Sequence, residues 1–328
     1  MTTPEDILRK LFFDYFRVEA RSITSLPTHA STREYFILEK EDVQAIGVYG
    51  PSLAENKAFL NIQTFFDQKG IRVPKFYQMD DSGFYYLQEY CGDTDVFSSL
   101  EIATNKLGLL KKSVQVLVDI QLKTYKQFDF SVCHPYVKFD TSEVKREFSA
   151  FQYKYLLNKA IDLNEDFFQE DIDLLEKLIK EMSVEDYVFM HRDFQTRNLL
   201  LNTNEDIVVI DFQGGREGPR YYDLASLIYS PESSHAHEYK DELIEFYREK
   251  YDDKTSKEYL MKFFLIAAFI RLVHTLGVYG SLGLEQNNAF FKKNIATAEE
   301  YLTEVLYSLK SEFSIEFKNL TSLYNSSL

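Results

Sequence analysis

The chain has 328 residues, enough for one or two cores, and its 45% hydrophobic and 27% charged content is that of a folded globular protein. A formal net charge of −15 argues against broad electrostatic binding to nucleic acid or to an anionic membrane face, because phosphate groups are repelled at long range. Two cysteines, Cys91 and Cys133, with no Cys-x-x-Cys or His–Cys spacing, suggest neither a disulfide framework nor a zinc site.

No positively charged start leads into a continuous apolar run, and the longest apolar candidate, 263–270, falls short of a membrane span, so a reducing cytoplasm is the expected location. Residues 4–16 carry Ile7, Leu8, Leu11, Phe12 and Tyr15 at helical spacing. A turn-rich stretch, Leu26-Pro-Thr-His-Ala-Ser-Thr-Arg33, then leads into a strand pair, 34–38 and 44–49, around Lys40-Glu-Asp42. Small and hydroxyl residues ahead of a strand either present backbone N–H groups to phosphate or form an ordinary hairpin turn. Residues 52–68 read as a helix ended by Gly70, with Glu55 in its first turn, where the macrodipole favours an acid. A further strand pair, 73–79 and 83–90, runs into Gln88-Glu-Tyr-Cys-Gly-Asp-Thr-Asp95. There the pattern changes from β-branched and aromatic strands to long helices, which places a domain boundary near Gly92, with one domain at 1–91 and another at 92–328.

Helices are predicted over 106–125, 141–159 and 167–182, and again near 221–230, 237–251, 256–279 and 287–311. Between these two groups lies Phe189-Met-His-Arg-Asp-Phe-Gln-Thr-Arg-Asn-Leu-Leu-Leu, followed by Ile-Val-Val-Ile-Asp211-Phe-Gln-Gly-Gly. Apolar runs at 187–190, 199–201 and 207–210 read as short buried strands that hold the polar groups between them on rigid turns. Asn202-Thr-Asn-Glu-Asp206 supplies a reversal, so that a hairpin brings Asn198 back toward Asp211. An amide and a carboxylate oxygen suit magnesium, which takes a few protein oxygens beside phosphate and water. Asp193, on the preceding loop, is placed to accept the proton of an incoming hydroxyl. These are the residue types that phosphoryl transfer from a nucleoside triphosphate requires.

At these residues the chain resembles the aminoglycoside phosphotransferase and choline kinase branch of the protein-kinase-like fold, through His-x-Asp-x-x-x-x-Asn and an Asp on the next strand. The longer strings His191-Arg-Asp-Phe-Gln-Thr-Arg-Asn and Asp211-Phe-Gln-Gly-Gly-Arg-Glu-Gly-Pro-Arg-Tyr-Tyr-Asp-Leu-Ala-Ser-Leu most resemble the bacterial amino-sugar anomeric kinases, which act on N-acetylmuramate and N-acetylglucosamine in cell-wall recycling. The resemblance implies an α+β, two-lobed protein-kinase-like fold, with a small β-rich N-lobe, a larger helical C-lobe and ATP bound between them. It implies Asp193 as catalytic base, Asn198 and Asp211 as magnesium ligands, and bracing roles for His191 and Asp223, the latter also readable as a plain helix cap. Ser31, Thr32 and Arg33 would contact phosphate, and the backbone of Glu89 and Tyr90 would meet adenine. In many kinases a strand lysine pairs with a helix acid; here 45–51 holds no Lys, leaving Arg33 or another cation to replace it and Glu55 to be read first as a helix-start acid.

Four of the twelve arginines, Arg192, Arg197, Arg216 and Arg220, fall between 192 and 220, while no Lys occurs from 181 to 239. Forked donors concentrated in this way suit phosphate or carboxylate, although Arg192 and Arg220 could equally tie the loop to acids such as Asp223. Arg197, Arg216 and Arg271 are candidates for meeting the substrate or bracing the loop. Arg271 and His274, within otherwise apolar 263–278, require partners, and a structural ion pair or satisfied core histidine is the favoured reading. His235-Ala-His237 is expected as a solvated loop without metal. The acceptor is expected to be a small hydroxyl compound, first an amino sugar, with aminoglycosides, choline-like amines and homoserine as alternatives. A catalytically inactive kinase-like module binding nucleotide or protein is the rival.

Overall fold

A computed structural model describes residues 3–27, 32–251 and 254–324. The chain divides into two compact units, Met1–Ala103 with Gln127–Val137 and Thr196–Arg216, and Thr104–Lys126 with Lys138–Gln195 and Glu217–Leu328. No single cut near Gly92 separates them, because the segment carrying Asn198 and Asp211 returns to the first unit.

The first unit opens with helix α1 (Pro4–Phe16), started by a reciprocal cap in which Thr3 Oγ1 accepts from Asp6 N–H at 3.2 Å and Thr3 N–H donates to Asp6 Oδ2 at 3.0 Å. Its buried face, Leu8, Leu11 and Phe12, packs on Phe36, Leu38, Ala45 and Leu87 of a sheet. That sheet is antiparallel in the order β1 (Ser22–Ser25), β2 (Glu34–Lys40), β3 (Val43–Tyr49), β5 (Tyr85–Glu89), β4 (Phe76–Met79). Strand β1 falls inside a stretch without alternation and is not evident in the sequence. Helix α2 (Leu53–Gln68) is capped by Ser52, and α3 (Val96–Ile102) by Asp95. The hairpin β7 (Leu199–Leu201) and β8 (Ile207–Val209) joins this unit through Leu201 N–H to Thr94 O at 2.8 Å and Val209 N–H to Arg72 O at 3.0 Å. Phe212 then stacks on Phe59, with ring centroids 5.1 Å apart.

The second unit is helical: α4 (Lys106–Thr124), α5 (Thr141–Ala150), α6 (Gln169–Glu181), α7 (Tyr221–Ile228), α8 (His235–Glu238), α9 (Lys240–Lys250), α10 (Lys257–Tyr279), α11 (Ala289–Lys293), α12 (Ile295–Phe313) and α13 (Lys318–Tyr324). Strand β6 (Tyr187–Met190) leads into the His191 loop, and β9 (Arg216–Pro219) precedes α7. Helix α10 is the axis of the unit, buried almost continuously from Leu260 to Tyr279. With its π-helical extension it is long and apolar enough to cross a membrane, contrary to the expectation from 263–270, yet 89% of its apolar window is buried inside the protein. It is a core helix. The expected solvated histidines are instead packed: His237 Nε2 lies 2.9 Å from Glu304 and its ring stacks on Tyr301 at 4.2 Å.

Both α5 and α10 end in π-helical turns, Phe151–Leu156 and Gly280–Glu285, and these meet at Gly280. A Cβ at Gly280 would collide with the carbonyl of Lys154 and the Cα of Tyr155, which are backbone atoms that cannot swing aside. Gly280→Ala is therefore expected to cost about 3 kcal/mol in chemical denaturation. Gly214→Ala, where an added Cβ meets nothing within 4 Å, is the control and should leave stability near wild type.

Candidate active site

Strand β6 delivers the loop His191-Arg192-Asp193, and α7 fixes it from beneath. Asp223, 1% exposed in the first turn of α7, accepts from His191 N–H at 2.6 Å through Oδ2 and from Arg192 N–H at 2.9 Å through Oδ1. This is more than a helix cap, because both oxygens reach another segment. Burial pushes the Asp223 carboxyl up to about 6, with His191 and the two N–H donors pulling the other way. His191 itself is buried, with its ring edge-to-face on Phe194 at 5.8 Å. Arg192 is held in the left-handed region at φ 79°, a conformation unfavourable to a long side chain.

Asp193 follows with its side chain 42% exposed. Its Oδ1 accepts from Arg271 Nη1 at 2.9 Å, and the same nitrogen donates to Arg192 O at 3.1 Å. Asp193 is therefore the partner that Arg271, buried in apolar α10, required. Burial would raise the Asp193 carboxyl, but the charges of Arg271, Arg192 and His274 outweigh it and hold the group well below the usual carboxylate range. Behind this pair, Arg192 Nη2 meets Glu147 at 2.7 Å, and His274 Nδ1 meets the other oxygen of Glu147 at 2.5 Å.

In the first unit, Ile210 N–H donates to Asn198 O at 3.0 Å, tying the start of the hairpin to its end as the Asn202 reversal implied. Asp211 stands next in the chain at φ 62°, and Gln213 Nε2 donates to its Oδ1 at 2.7 Å. Asn198 and Asp211 both line a cavity of about 550 Å³, all of whose lining residues belong to the first unit. Ile37 and Ile46, paired across β2 and β3, together with Leu200 and Ile210, give it apolar walls. Arg33, Asn198, Asp211 and Gln213 supply polar groups to the same cavity. No cluster of three or more His, Cys, Asp or Glu exists among the described residues. One amide and one carboxylate oxygen therefore make a donor set suited to magnesium completed by phosphate and water.

Arg33 is 1% exposed and anchored on two sides: Nε meets Glu55 Oε1 at 2.9 Å and Nη1 donates to the Tyr86 hydroxyl at 2.6 Å. Glu55 is thus an ion-pair partner as well as a helix-start acid, correcting the first reading of it. Thr32 is exposed at the bend before β2, and Ser31 lies outside the described residues. Glu89 and Tyr90 line the cavity, but the Glu89 N–H is spent on Lys75 O at 2.8 Å and its carboxylate on Arg72 at 2.7 Å. The Glu89 carbonyl has Cys91 Sγ at 3.8 Å. Gln88, missed in the sequence, also lines the cavity; its side-chain oxygen is buried with no hydrogen-bond partner. Its position as the last inward residue before the chain turns at Gly92 was the available signal.

The arginines concentrated in 192–220 turn inward. Arg197 stacks on Phe97 of α3 at 4.1 Å, and Arg216, 1% exposed, donates to Gly214 O at 2.9 Å. Arg220 pairs with Asp186 at 2.8 Å and lies over the Tyr251 ring at 4.3 Å. Their chief contacts brace loops, with Asp186, Glu143 and Glu147 as the acids rather than Asp223.

The family described as "Phosphotransferase enzyme family" matches residues 23–258. An N-acetylmuramate/N-acetylglucosamine kinase of Neisseria meningitidis serogroup B is 25% identical over 213 residues, 63% of this chain and 60% of that protein. The protein of the same name from Pseudomonas aeruginosa is 24% identical over 201 residues, 60% of this chain and 56% of its own length. The chain thus spans less than two thirds of these relatives. Among solved structures, the microcompartment-associated aminopropanol kinase superposes with a TM-score of 0.66 at 14% identity, covering 95% of this chain and 99% of its own. A spectinomycin phosphotransferase in complex with ADP and spectinomycin gives 0.60 at 17% identity, covering 91% and 93%. The choline kinase of Streptococcus pneumoniae gives 0.62 at 16%, covering 92% and 99%. The fold is protein-kinase-like, as expected.

Asp223→Asn keeps one acceptor and so strands one of the two loop N–H groups. It should cost about 1–3 kcal/mol in thermal or chemical denaturation. Because the folded carboxyl titrates above its ordinary value of about 4, its contribution to stability is full below that pH and is lost as pH rises through about 6. The variant should lack that decline.

Proposed function

The chain belongs to the phosphotransferase enzyme family, and we propose that it is an ATP- and magnesium-dependent kinase for a small hydroxylated acceptor. The first acceptor proposed is an amino sugar of the N-acetylmuramate or N-acetylglucosamine type, in cytoplasmic cell-wall recycling. The observation that carries the reading is the cavity with apolar walls that Arg33, Asn198 and Asp211 also line. An adenine between Ile37, Ile46, Leu200 and Ile210 would meet the Glu89 carbonyl, while the phosphates meet Arg33. The names of the two relatives support the amino sugar.

In this reading Asp193 orients the acceptor hydroxyl and takes its proton. The hydroxyl oxygen bonds to the γ-phosphorus as the bond to the β–γ bridging oxygen breaks, and that electron pair leaves with ADP. Asn198 and Asp211 would hold magnesium, which supplies charge neutralisation on the phosphates when bound. Arg33 is fixed in advance by Glu55 and Tyr86, so it meets phosphate without having to be ordered first.

Asp193→Asn should lower kcat by roughly a thousandfold in a coupled-ADP assay with amino sugars while leaving ATP affinity near wild type. Retained turnover would remove Asp193 as base, and flat ATP levels in the wild type across sugars and amino alcohols would favour a binding module. Arg33→Gln should weaken ATP binding by about tenfold in calorimetry, the order expected for loss of one charged hydrogen bond, while adenosine binding is unchanged. Equal weakening of both ligands would place Arg33 outside the phosphate site.

A further inference from the structure

Asp193 is the proposed base, yet it is met by a cation that no requirement of proton transfer explains. Arg271 comes from α10, 78 residues away in sequence, and reaches Asp193 Oδ1 at 2.9 Å while itself only 4% exposed. A guanidinium buried to that degree must keep its charge and therefore its partner. Its second bond, to Arg192 O at 3.1 Å, fixes the peptide immediately before the base, so the carboxylate is held in position as well as in charge.

The other charged groups of this region lie behind the pair and are committed to one another or to the loop backbone. Arg192 faces Glu147 and Glu143 at 2.7 and 3.4 Å, and His274 faces Glu147. Tyr222 and Asp223, both buried in α7, complete the set on that side, with Asp223 committed to loop N–H groups. The half-exposed Asp193 carboxylate is thus paired with a buried guanidinium of opposite charge. An unpaired carboxylate there would attract ammonium groups; a paired one would not.

We propose that Arg271 is the positioning and specificity residue of the acceptor site: it pins Asp193 and cancels its charge, so that neutral or anionic hydroxyl compounds are accepted in preference to cationic ones. This rests on the kinase reading above but not on which hydroxyl compound is the natural acceptor.

The test uses the full chain with Arg271→Gln and the charge-preserving Arg271→Lys. Carbon-13 NMR of aspartate carboxyls, with the Asp193 signal assigned by Asp193→Asn, requires no acceptor. In the wild type Asp193 should stay ionised to the lowest pH at which the protein is folded. Its midpoint should rise in the Gln variant to about 4 or above, and remain low in the Lys variant. If the Gln variant does not fold, a wild-type midpoint of about 4 or above already overturns the proposal.

Acceptor choice is read from kcat/KM for glucosamine against N-acetylglucosamine at a pH where the amine is protonated. The wild type should prefer the neutral sugar, and Arg271→Gln should raise the relative use of the cation by about tenfold, the order expected of one partly screened unit charge. If neither sugar is turned over, the amino-sugar reading fails, and the same comparison is made with choline and its neutral isostere 3,3-dimethylbutanol. A wild-type preference for the cationic member of either pair, or an unchanged ratio in the Gln variant, overturns the role of Arg271.

Discussion

The two hydrogen bonds from His191 and Arg192 N–H to Asp223 are the constraint on which the loop of His191, Arg192 and Asp193 depends. Outside strand and helix, the loop that carries Asp193 leaves backbone N–H groups to be satisfied from elsewhere. Here a buried side chain from the next helix does this. The cost is a carboxylate placed where burial disfavours its charge, and the return is a backbone that tolerates φ 79° at Arg192, one residue before Asp193. Asp211, the metal-ligand candidate, is likewise at positive φ, 62°, as are seven other non-glycine residues elsewhere among the described residues.

Helix α10 shows how an apolar element can serve a polar site. Nearly all of its side chains from Phe263 onward pack into the core, and Arg271 and His274 lie three residues apart among them and so face the same side of the helix. One meets Asp193, the other Glu147. Because the helix is locked by burial on its other faces, its two polar groups arrive with little conformational freedom left to lose. The same logic holds for Arg33, which is rigid because Glu55, Tyr86 and the sheet surround it.

What could be read from the sequence was local. The strands flanking Asp193 and Asn198, the reversal at Asn202 and the helix over 256–279 are all written in runs of a few residues, where apolar periodicity and turn chemistry act directly. The pairs that decide the site's electrostatics are not local: Arg33 and Glu55 are 22 residues apart, and Asp193 and Arg271 are 78. A cation's partner depends on which strand faces which helix, and no spacing rule carries that information. This is why Glu55 reads as a helix-start acid, and why the arginines of 192–220 read as phosphate ligands when aromatic rings and inward acids claim them. The short elements β1, α3, β9 and α13 escape for a different reason, being too brief to establish a period and defined instead by the neighbours that receive them.

The first unit is assembled from three separated stretches of chain, and the last of them, Thr196–Arg216, brings Asn198, Leu200, Ile210 and Asp211 to the cavity. During synthesis the amino-terminal sheet therefore leaves the ribosome long before the cavity beside it can exist. More than ninety further residues must emerge, many of them belonging to the other unit, before the cavity acquires those walls. Such long-range closure slows folding and exposes apolar surface in the interval. The growing polypeptide cannot form this cavity until that third stretch is in place, which makes its completion a late event in the life of each molecule.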